Sequence, residues 1–346
     1  MIVNPSYQRN LATIFETCLP DVVLFSASGL SIKRRLGEGH FGLVYEGIYL
    51  MKEECDKRDK EFHPALSSNA TCRHGTKVAV KALRENTENQ SFTEFLKECS
   101  SMHNLDHPNV LPLLGICVDH PDIAGPLILS AYMEKGDLRS YLCRQYLLSG
   151  KTNESNQNAK GCQQIYPVDK LKSYVMQICQ GMNYLVDCGI IHRDLAARNC
   201  MLNDKETVKI ADFGMARFMN SKEYYRERGN NPVPIKWMAP ESVLQKVYSE
   251  KSDVWSFGVT AWEVFSMGIC PYIDVGNANI VNYLYRGGRL QRPINCSQDW
   301  LIYTICSKML TQLCIVPFLG LPLSLDAGCG TKLIAMISRV SWIRLN

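Results

Sequence analysis

The sequence lacks several features that would assign it to a simple functional class. It has no C-x-x-C pair, although 15 cysteines are spread over its 346 residues. An odd number of scattered cysteines in a long chain indicates reduced thiols in the cytosol rather than a disulfide or zinc framework. Its net charge is only +4, which predicts no nucleic-acid partner. Its first residues have no basic start followed by an apolar run, so no signal peptide is expected.

Long hydrophobic runs are also scarce. The longest, residues 313–325, contains two prolines and is shorter than the roughly 20 residues that span a bilayer. We therefore expect no membrane segment in this chain. A hydrophobic share of 46% with 21% charged residues is typical of a soluble globular protein. The length exceeds the usual limit for one hydrophobic core, so two lobes are expected.

The first part of the chain alternates apolar and polar residues as β-strands do. Residues 31–50 predict two strands joined by a glycine-rich turn, and residues 76–83 predict a third strand. The polar segment between them, residues 51–75, is expected to be a surface insertion. Residues 91–105 have apolar side chains at helical spacing after a serine cap. The pattern predicts a β-rich first lobe with one main helix.

The second part of the chain is mainly helical by the same criteria. Residues 143–166 contain a stretch rich in Ser, Asn, Gln and Lys, which predicts a loop. Residues 168–189 then predict a long amphipathic helix that ends at a glycine, and residues 251–268 predict a buried helix. The fold class that follows is α+β.

Two motifs in the first lobe carry the chemistry of phosphate binding. The segment LGEGHFGLV, residues 36–44, spaces its glycines so that backbone amides can approach phosphates closely, although glycine turns in hairpins share this pattern. Lys81 lies on a strand, on the face opposite to two valines. Glu94 and Glu98 share one face of the following helix, and either can reach such a lysine. Solvated surface charges are the alternative for each of these side chains taken alone.

The segment IIHRDLAARNCML, residues 190–202, holds several charged side chains between short apolar flanks. Charged groups in such a place must be paired, solvated in a cleft, or used in chemistry. Asp194 is a candidate base or proton acceptor, and Asn199 is a candidate metal ligand. Asp212 in ADFG supplies a second acid, and carboxylate and amide oxygens suit Mg²⁺. A turn or a cap is the alternative for each aspartate by itself.

The order of the motifs decides between these alternatives. The glycine loop, the lysine, the glutamate, H-R-D-x-x-x-x-N, D-F-G and A-P-E follow one another at compatible spacings. Together they resemble a protein kinase catalytic domain with a bilobal fold, over residues 30–310. The resemblance implies ATP and Mg²⁺ as cofactors, held between a β-rich and a helical lobe.

The resemblance also implies boundaries within the chain. The β-rich lobe spans about residues 30–129, the hinge residues 130–136 and the helical lobe about residues 137–310. Residues 1–29 form an N-terminal segment, for which a juxtamembrane origin is one interpretation. Residues 311–346 form a tail that diverges from the family pattern.

A role for each candidate site residue follows from the same resemblance. The Lys81 ammonium holds the α- and β-phosphates and pairs with Glu98, while Asp194 accepts the proton of the substrate hydroxyl. Asn199 and Asp212 hold Mg²⁺. Ser130 stands at the gatekeeper position, and the residues after it offer backbone groups to adenine. The expected nucleotide-binding residues are Leu36, Gly37, Gly39, Gly42, Val44, Ala79, Lys81, Ser130, Tyr132 and Met133.

The phosphoryl acceptor implied by the resemblance is tyrosine. Ala196 stands where serine/threonine kinases typically have lysine, and Arg198, which we count among the catalytic residues, follows in the tyrosine kinase pattern. Residues 232–242, PVPIKWMAPES, resemble the platform that receives a tyrosine ring. The motifs GDLRSYL, HRDLAARNCMLN and KSDVWSFGVTAWEVFSMG look most like receptor kinases of the Axl/Mer and hepatocyte growth factor receptor groups. A serine/threonine kinase is the remote alternative.

Regulation and partners are further expectations from the resemblance. Tyr224 and Tyr225 lie between D-F-G and A-P-E, where the family is autophosphorylated. Two exposed loop tyrosines without a regulatory role are the alternative. The expected partners are protein substrates with tyrosine, and a second copy of the chain for autophosphorylation in trans. The expected location is the cytoplasm, as the cytoplasmic portion of a plasma-membrane receptor if the receptor-type likeness extends to the whole protein.

The resemblance fails near the end of the sequence. Kinases pair the A-P-E glutamate, here Glu241, with an arginine of the helical lobe, but no arginine occurs between Arg292 and Arg339. Removing one partner of a buried ion pair costs about 3–5 kcal/mol. Either the tail leaves a truncated lobe, or Lys332 or Arg339 reaches Glu241 by another route. The alternative function is therefore a truncated, catalytically impaired kinase that acts as a binding decoy.

Overall fold

The computed structural model of the chain describes residues 5–39, 42–50, 75–83, 89–123, 125–153, 166–218, 225–226 and 234–296. Three predicted features lie largely or wholly outside these ranges: the insertion at 51–75, the loop predicted within 143–166, of which residues 154–165 are not described, and the tail at 311–346. No helix in the described ranges combines the length and the apolar character needed to cross a membrane.

The first lobe is built on a five-stranded antiparallel sheet with the spatial order β1-β2-β3-β5-β4. Its strands are β1 (Leu30–Gly39), β2 (Gly42–Tyr49), β3 (Thr76–Leu83), β4 (Leu113–Cys117) and β5 (Leu127–Ala131). In β3, Val78, Val80 and Ala82 are buried in one core cluster, so the residues that alternate with them face the opposite side of the sheet. The three strands predicted from the sequence are confirmed, and Lys81 lies on the face away from this cluster.

The main helix of the first lobe is α2 (Asn89–Met102). The sequence predicts a helix here, but the predicted serine cap is wrong, because the helix begins two residues before Ser91. Its buried side chains include Phe95, Cys99 and Met102, which recur at the spacing of one helix face. Glu98 lies on this buried side and is only 2% exposed. A charged residue so deeply buried requires a partner, and that partner lies on the sheet.

A second helix, α1 (Pro5–Cys18), adds to the lobe that the sequence predicts. Phe15 contacts α2 edge-on, with its ring centroid 6.1 Å from that of Phe92 and 6.3 Å from that of Phe95. The chain that follows then runs beside β4, where it exchanges two backbone hydrogen bonds with Ile116. The N-terminal segment is therefore part of the packed lobe.

Phe15→Ala is expected to lower the free energy of unfolding by about 3–5 kcal/mol, the usual cost of truncating a buried phenylalanine. The Phe15 side chain is fully buried, and its loss leaves a cavity between α1 and α2. Urea unfolding measures the change. The neighbouring Ile14 is 37% exposed, so Ile14→Ala is the matched control and should cost much less. Equal losses for the two variants would contradict the packing of α1 on α2.

The second lobe contains the remaining helices and three small sheets. The helices are α3 (Leu138–Asn153), α4 (Val168–Asp187), α5 (Pro240–Gln245), α6 (Glu250–Phe265) and α7 (Ile280–Tyr285). The short strands are β6 (Gly136–Asp137), β7 (Ile190–Ile191), β8 (Cys200–Leu202), β9 (Val208–Ile210), β10 (Arg217–Phe218), β11 (Tyr225–Arg226) and β12 (Val247–Tyr248), paired as β6-β8-β9, β10-β7 and β11-β12. The two helices predicted from the sequence are confirmed as α4 and α6. α3 extends into the segment for which the sequence predicts a loop.

Helix α6 lies at the centre of the second lobe. It begins at a capping box, in which the Ser249 side chain accepts from the Ser252 backbone N–H and the Ser252 side chain accepts from that of Ser249. Trp255 and Val264 on this helix are buried, and so is Asp253. The helix is therefore a fixed support for the loops that surround it.

A carboxylate in the turn between β8 and β9 connects three parts of the second lobe. The Glu206 oxygens accept hydrogen bonds from the Lys135 and Lys170 Nζ atoms, each at 2.8 Å. They also accept from the hydroxyl groups of Tyr141 at 3.1 Å and Tyr174 at 3.3 Å. The bonds from Lys135 and Lys170 lower the pKa of Glu206 to about 2.

We expect Glu206 to stabilise the fold by an amount that decreases as the pH falls into the acid range. Because its folded-state pKa lies below its ordinary value of 4.5, the contribution is full above pH 4.5 and is lost as the pH falls towards 2. Glu206→Gln lacks this titration. The difference in unfolding free energy between wild type and variant, measured in urea at pH 7, 4.5 and 3, should shrink as the pH falls. A difference that stays constant would contradict the assigned shift.

Candidate active site

Lys81 on β3 is held between two carboxylates. Its Nζ atom lies 2.5 Å from Glu98 Oε1 on α2 and 3.3 Å from Asp212 Oδ1. The side chains of Lys81 and Glu98 are 14% and 3% exposed. Burial alone would lower the pKa of Lys81, but the charges of Glu98 and Asp212 outweigh it and raise the pKa above its ordinary value. Lys81 is therefore a permanent cation at a fixed position.

Asp194 lies in the loop between β7 and β8, with its carboxylate oriented by two neighbours. Oδ1 pairs with the Arg198 guanidinium. Asn199 Nδ2 donates to Oδ2 at 2.9 Å and to the backbone oxygen of Asp194 at 2.7 Å. Burial raises the pKa of Asp194, while the charge of Arg198 acts in the opposite direction. The result is a buried carboxylate with fixed orientation and a raised pKa.

His192 connects this loop to the segment before Asp212. Its Nε2 atom lies 3.1 Å from the Ala211 carbonyl oxygen, which can only accept a hydrogen bond, and its Nδ1 accepts from the Asp194 backbone N–H at 3.3 Å. These two contacts require the neutral ring with the proton on Nε2. The ring also contacts Phe213, with centroids 5.3 Å apart. His192 therefore fixes the catalytic loop relative to D-F-G.

The backbone of the same loop is attached to α6. The Asp253 carboxylate accepts from the backbone N–H groups of His192 at 2.7 Å and Arg193 at 3.0 Å. Burial raises the pKa of Asp253, and these two backbone hydrogen bonds oppose the increase. Asp253 could not be identified from the sequence, because its role depends on contacts with residues about 60 positions away.

Asn199 and Asp212 provide the oxygen donors that the sequence predicts for a metal. Since Asn199 Nδ2 points to Asp194, its Oδ1 is directed elsewhere. Asp212 has φ +62°, an uncommon conformation for a residue other than glycine. An amide oxygen and a carboxylate suit Mg²⁺, which takes one or two carboxylate ligands and completes its shell with phosphates and water. The donor set therefore fits Mg²⁺.

The glycine-rich segment forms the ends of β1 and β2, with Gly37 paired to Val44 and Gly39 paired to Gly42. A Cβ added at Gly37 would meet no other atom within 4 Å, and its φ is not positive. Neither packing nor backbone conformation therefore explains the glycine. The missing side chain leaves open space beside the strand, which is the room that a closely approaching phosphate would need. Leu36, in the same strand, is exposed.

The predicted hinge follows β5. Ser130 pairs with Ala79 of β3, so the expected gatekeeper lies beside the strand that carries Lys81. Tyr132 and Met133 come next. Met133 is buried, yet its backbone N–H donates to no group in the described ranges. This N–H is therefore a candidate donor to the adenine ring.

Three apolar residues at this point were not identified by sequence reasoning. Leu111 and Ala211 form a small cluster with Met133, and Met201 packs against it. Met201 lies between buried Cys200 and Leu202 in β8 and faces the other way. The alternation in this short strand is the signal that could have found Met201. The cluster provides an apolar surface next to the hinge.

The regulatory tyrosines are described only in part. Tyr224 lies outside the described residues. The backbone of Tyr225 pairs with Tyr248 in the β11-β12 ladder, and the Arg193 guanidinium lies 4.1 Å from the centroid of the Tyr248 ring. The segment that carries Tyr225 is thus close to the arginine of the H-R-D motif.

Glu241, at the start of α5, is the glutamate of the A-P-E motif. Its carboxylate forms no salt bridge with any residue in the described ranges. Lys332 and Arg339, the two candidate partners in the tail, lie outside those ranges. The two explanations for the divergent tail therefore remain predictions.

Fold and site together define a protein kinase domain, with a sheet-rich lobe, a helical lobe and a lysine that bonds a glutamate and an aspartate. Residues 30–311 match the family model described as protein tyrosine and serine/threonine kinase. The chain belongs to this family. The predicted bilobal α+β fold and the predicted kinase domain are confirmed.

Individual relatives narrow the assignment to tyrosine kinases. The chain is 38% identical over 293 residues to the tyrosine-protein kinase transforming protein RYK of avian retrovirus RPL30, covering 84% of this chain and 59% of that protein. It is 38% identical over 284 residues to mouse tyrosine-protein kinase Mer, covering 81% and 25%. It is 38% identical over 282 residues to the tyrosine-protein kinase transforming protein ros of UR2 avian sarcoma virus, covering 80% and 62%. The chain thus spans less than two thirds of each of these relatives.

Proposed function

We propose that this chain transfers the γ-phosphoryl group of ATP to tyrosine hydroxyls of proteins, with Mg²⁺ as the second cofactor. The observation that carries the proposal is the position of Lys81, whose Nζ atom bonds both Glu98 and Asp212. This contact joins the sheet, α2 and the D-F-G segment in one site. Protein kinases in general use ATP and Mg²⁺ and act mainly by positioning and charge stabilisation.

The nucleotide is held by groups of the first lobe and the hinge. The Lys81 ammonium binds the α- and β-phosphates, while Gly37 leaves room for the phosphates beside β1. The Met133 N–H donates to adenine. The side chains of Leu111, Met133 and Ala211 provide the apolar surroundings of the adenine ring. When bound, Mg²⁺ neutralises charge on the phosphates, and Asn199 and Asp212 are the residues that hold it.

The proton of the acceptor hydroxyl is transferred to Asp194. Its carboxylate accepts the proton as the tyrosine oxygen bonds to the γ-phosphorus and the bond to the ADP oxygen breaks. The contacts from Arg198 and Asn199 keep the carboxylate in the orientation that this transfer requires. The raised pKa of Asp194 makes it a better proton acceptor than an ordinary aspartate.

Tyrosine is the proposed acceptor for two reasons. The guanidinium of Arg198 lies 4.7 Å from the centroid of the Trp237 ring, which brings the tyrosine-type loop and the platform of residues 232–242 together. The relatives reported above are all named as tyrosine-protein kinases. A serine/threonine kinase is not favoured by any contact in the described ranges.

The proposal includes regulation and location. Phosphorylation of Tyr224 and Tyr225 by a second copy of the chain adds about two negative charges at each tyrosine, and Arg193 is a candidate partner for these charges. The chain is proposed to act in the cytoplasm, as part of a plasma-membrane receptor. The receptor-type motifs of the sequence support this location.

The experiment measures transfer of labelled γ-phosphate from ATP to a Glu-Tyr polymer by the purified chain, with Asp194→Asn as the blank. Label on phosphotyrosine that is lost in the variant, and label on Tyr224 or Tyr225 in the chain itself, are the expected results. Label on serine or threonine instead would show that tyrosine is not the acceptor.

A second candidate function is the impaired kinase that acts as a decoy, which the lack of a salt bridge to Glu241 among the described residues favours. Folded chain that binds Mg²⁺·ATP but transfers no label would support it over the active kinase. Binding of a fluorescent ATP analogue to the same preparation separates this result from simple misfolding.

A further inference from the structure

Helix α6 presents a row of buried polar side chains to two loops. The spacing of three, four and three residues places them on one face of the helix, and all are at most 4% exposed. Besides the Asp253 contacts already described, the Ser256 hydroxyl donates to the Trp237 carbonyl oxygen at 2.9 Å, and the Thr260 hydroxyl donates to the Leu195 carbonyl oxygen at 3.3 Å. The row consists of Asp253, Ser256, Thr260 and Glu263.

Glu263 is the member of this row that contacts both loops with one atom. Its Oε2 accepts from the Ala197 backbone N–H at 3.0 Å in the catalytic loop. The same oxygen accepts from Trp237 Nε1 at 2.7 Å in the substrate platform. Glu263 is fully buried, and its Oε1 has no hydrogen-bond partner in the described ranges. Burying a carboxylate in this way is costly, so its retention needs a reason beyond packing.

The contacts of Glu263 complete a closed set of contacts beside Asp194, here termed the circuit, which consists of Glu263, Trp237, Arg198 and Ala197. Trp237 is bound through its indole N–H, and the face of the same ring lies under the Arg198 guanidinium. Arg198 pairs with Asp194 and directly follows Ala197, whose N–H is the second donor to Glu263. Glu263 therefore determines the position of Trp237 relative to the Asp194 carboxylate. It bonds Trp237 directly, and it bonds the loop that carries Asp194 through the Ala197 N–H.

We propose that Glu263 is a positioning residue that holds the substrate platform at a fixed distance from the catalytic loop, so that a tyrosine hydroxyl presented beside Trp237 reaches Asp194. The inference rests on the proposed function, because it assigns to Glu263 the coupling between tyrosine binding at the platform and proton transfer to Asp194. In the described ranges, Glu263 forms no hydrogen bond with the nucleotide-binding residues or with Asp194.

The test compares two tryptophan substitutions. Trp237→Phe keeps an aromatic ring below Arg198 and removes the N–H donor to Glu263, together with part of the ring. Trp262→Phe is the matched control. Trp262 precedes Glu263 on the same helix, but its Nε1 donates at 2.7 Å to the Gln291 carbonyl oxygen, which lies outside the circuit. We expect Trp237→Phe to lower kcat/KM for a tyrosine peptide about tenfold, the effect of losing one hydrogen bond to a charged group. The KM for ATP should stay unchanged, and Trp262→Phe should resemble wild type.

A double-mutant cycle then tests whether Trp237 acts through Glu263. In a Glu263→Gln background the negative charge is lost while the acceptor oxygen is kept, and kcat/KM for the peptide should fall less than in Glu263→Ala. In the Glu263→Ala background, Trp237→Phe should cause no further loss, because its hydrogen-bond partner is already absent. Equal additional losses with and without Glu263 would overturn the proposal.

A second measurement does not depend on catalysis. Hydrogen exchange of the peptide covering residues 190–202 should speed up in Trp237→Phe and not in Trp262→Phe, because loosening the platform also loosens the Ala197 amide through Glu263. Identical exchange in the two variants would overturn the positioning role even if wild type proved inactive. If exchange is faster in Trp237→Phe than in Trp262→Phe while wild type is inactive, the result would support the circuit and contradict the proposed kinase activity.

Discussion

Asp194→Asn is expected to lower kcat for tyrosine phosphorylation by about 10²–10⁴-fold, the usual contribution of a positioned general base. Asparagine has the same shape but cannot take up the substrate proton. Nucleotide binding should be retained, because Lys81 and the hinge are not altered. Steady-state kinetics with a tyrosine peptide measure the loss, and titration with a fluorescent ATP analogue measures binding.

The control for this substitution is Asp187→Asn, at the exposed end of α4 in the same lobe. It makes the same chemical change on the surface and should leave kcat unchanged. Retention of full activity by Asp194→Asn would show that another group accepts the proton. A parallel loss of ATP binding would indicate that the substitution disturbs the whole site.

Glu98→Gln is expected to lower the free energy of unfolding by about 3 kcal/mol, the lower end of the cost of removing one partner of a buried ion pair. The lower end applies because Asp212 stays 3.3 Å from Lys81 and compensates part of the charge. We also expect the KM for ATP to rise, since Lys81 is then drawn towards Asp212 and away from the phosphates. Urea unfolding and ATP-dependent kinetics measure the two effects.

The control is Asp169→Asn, which breaks the pair with Lys172. Asp169 is 93% exposed, and exposed pairs contribute about 0–1 kcal/mol. If Glu98→Gln changes stability no more than this surface control, the Lys81–Glu98 contact is not the buried pair that the structure describes. A change in stability without any change in the KM for ATP would separate a structural role from nucleotide positioning.

The candidate site could be predicted from the sequence because its residues lie in short contiguous motifs. Asp194 and Asn199 are five positions apart in one loop, so their side chains meet whenever that loop adopts one compact turn. β3 was equally accessible, since strand alternation places Lys81 on the face away from the buried valines. Local backbone geometry determines both features, and a local pattern is therefore sufficient to predict them.

Other features depend on contacts that no local pattern contains. α1 was not predicted from the sequence, and the place of Phe15 depends on Phe92 and Phe95 of α2, which face it. The four hydrogen bonds to Glu206 come from segments that are up to 71 residues away in the sequence. Such contacts form only when helices and turns pack together.

By itself, the sequence determined the class of protein, the candidate catalytic, metal-binding and nucleotide-binding residues, and most of the regular elements around them. Only the tertiary structure decided that Lys81 bonds Glu98 and Asp212 together, that the N-terminal segment packs on α2, and that Glu263 bonds both the catalytic loop and the substrate platform. The physical reason is the distance over which each interaction acts. Turn and strand preferences act between near neighbours, whereas burial and hydrogen bonds between remote groups depend on the packed chain.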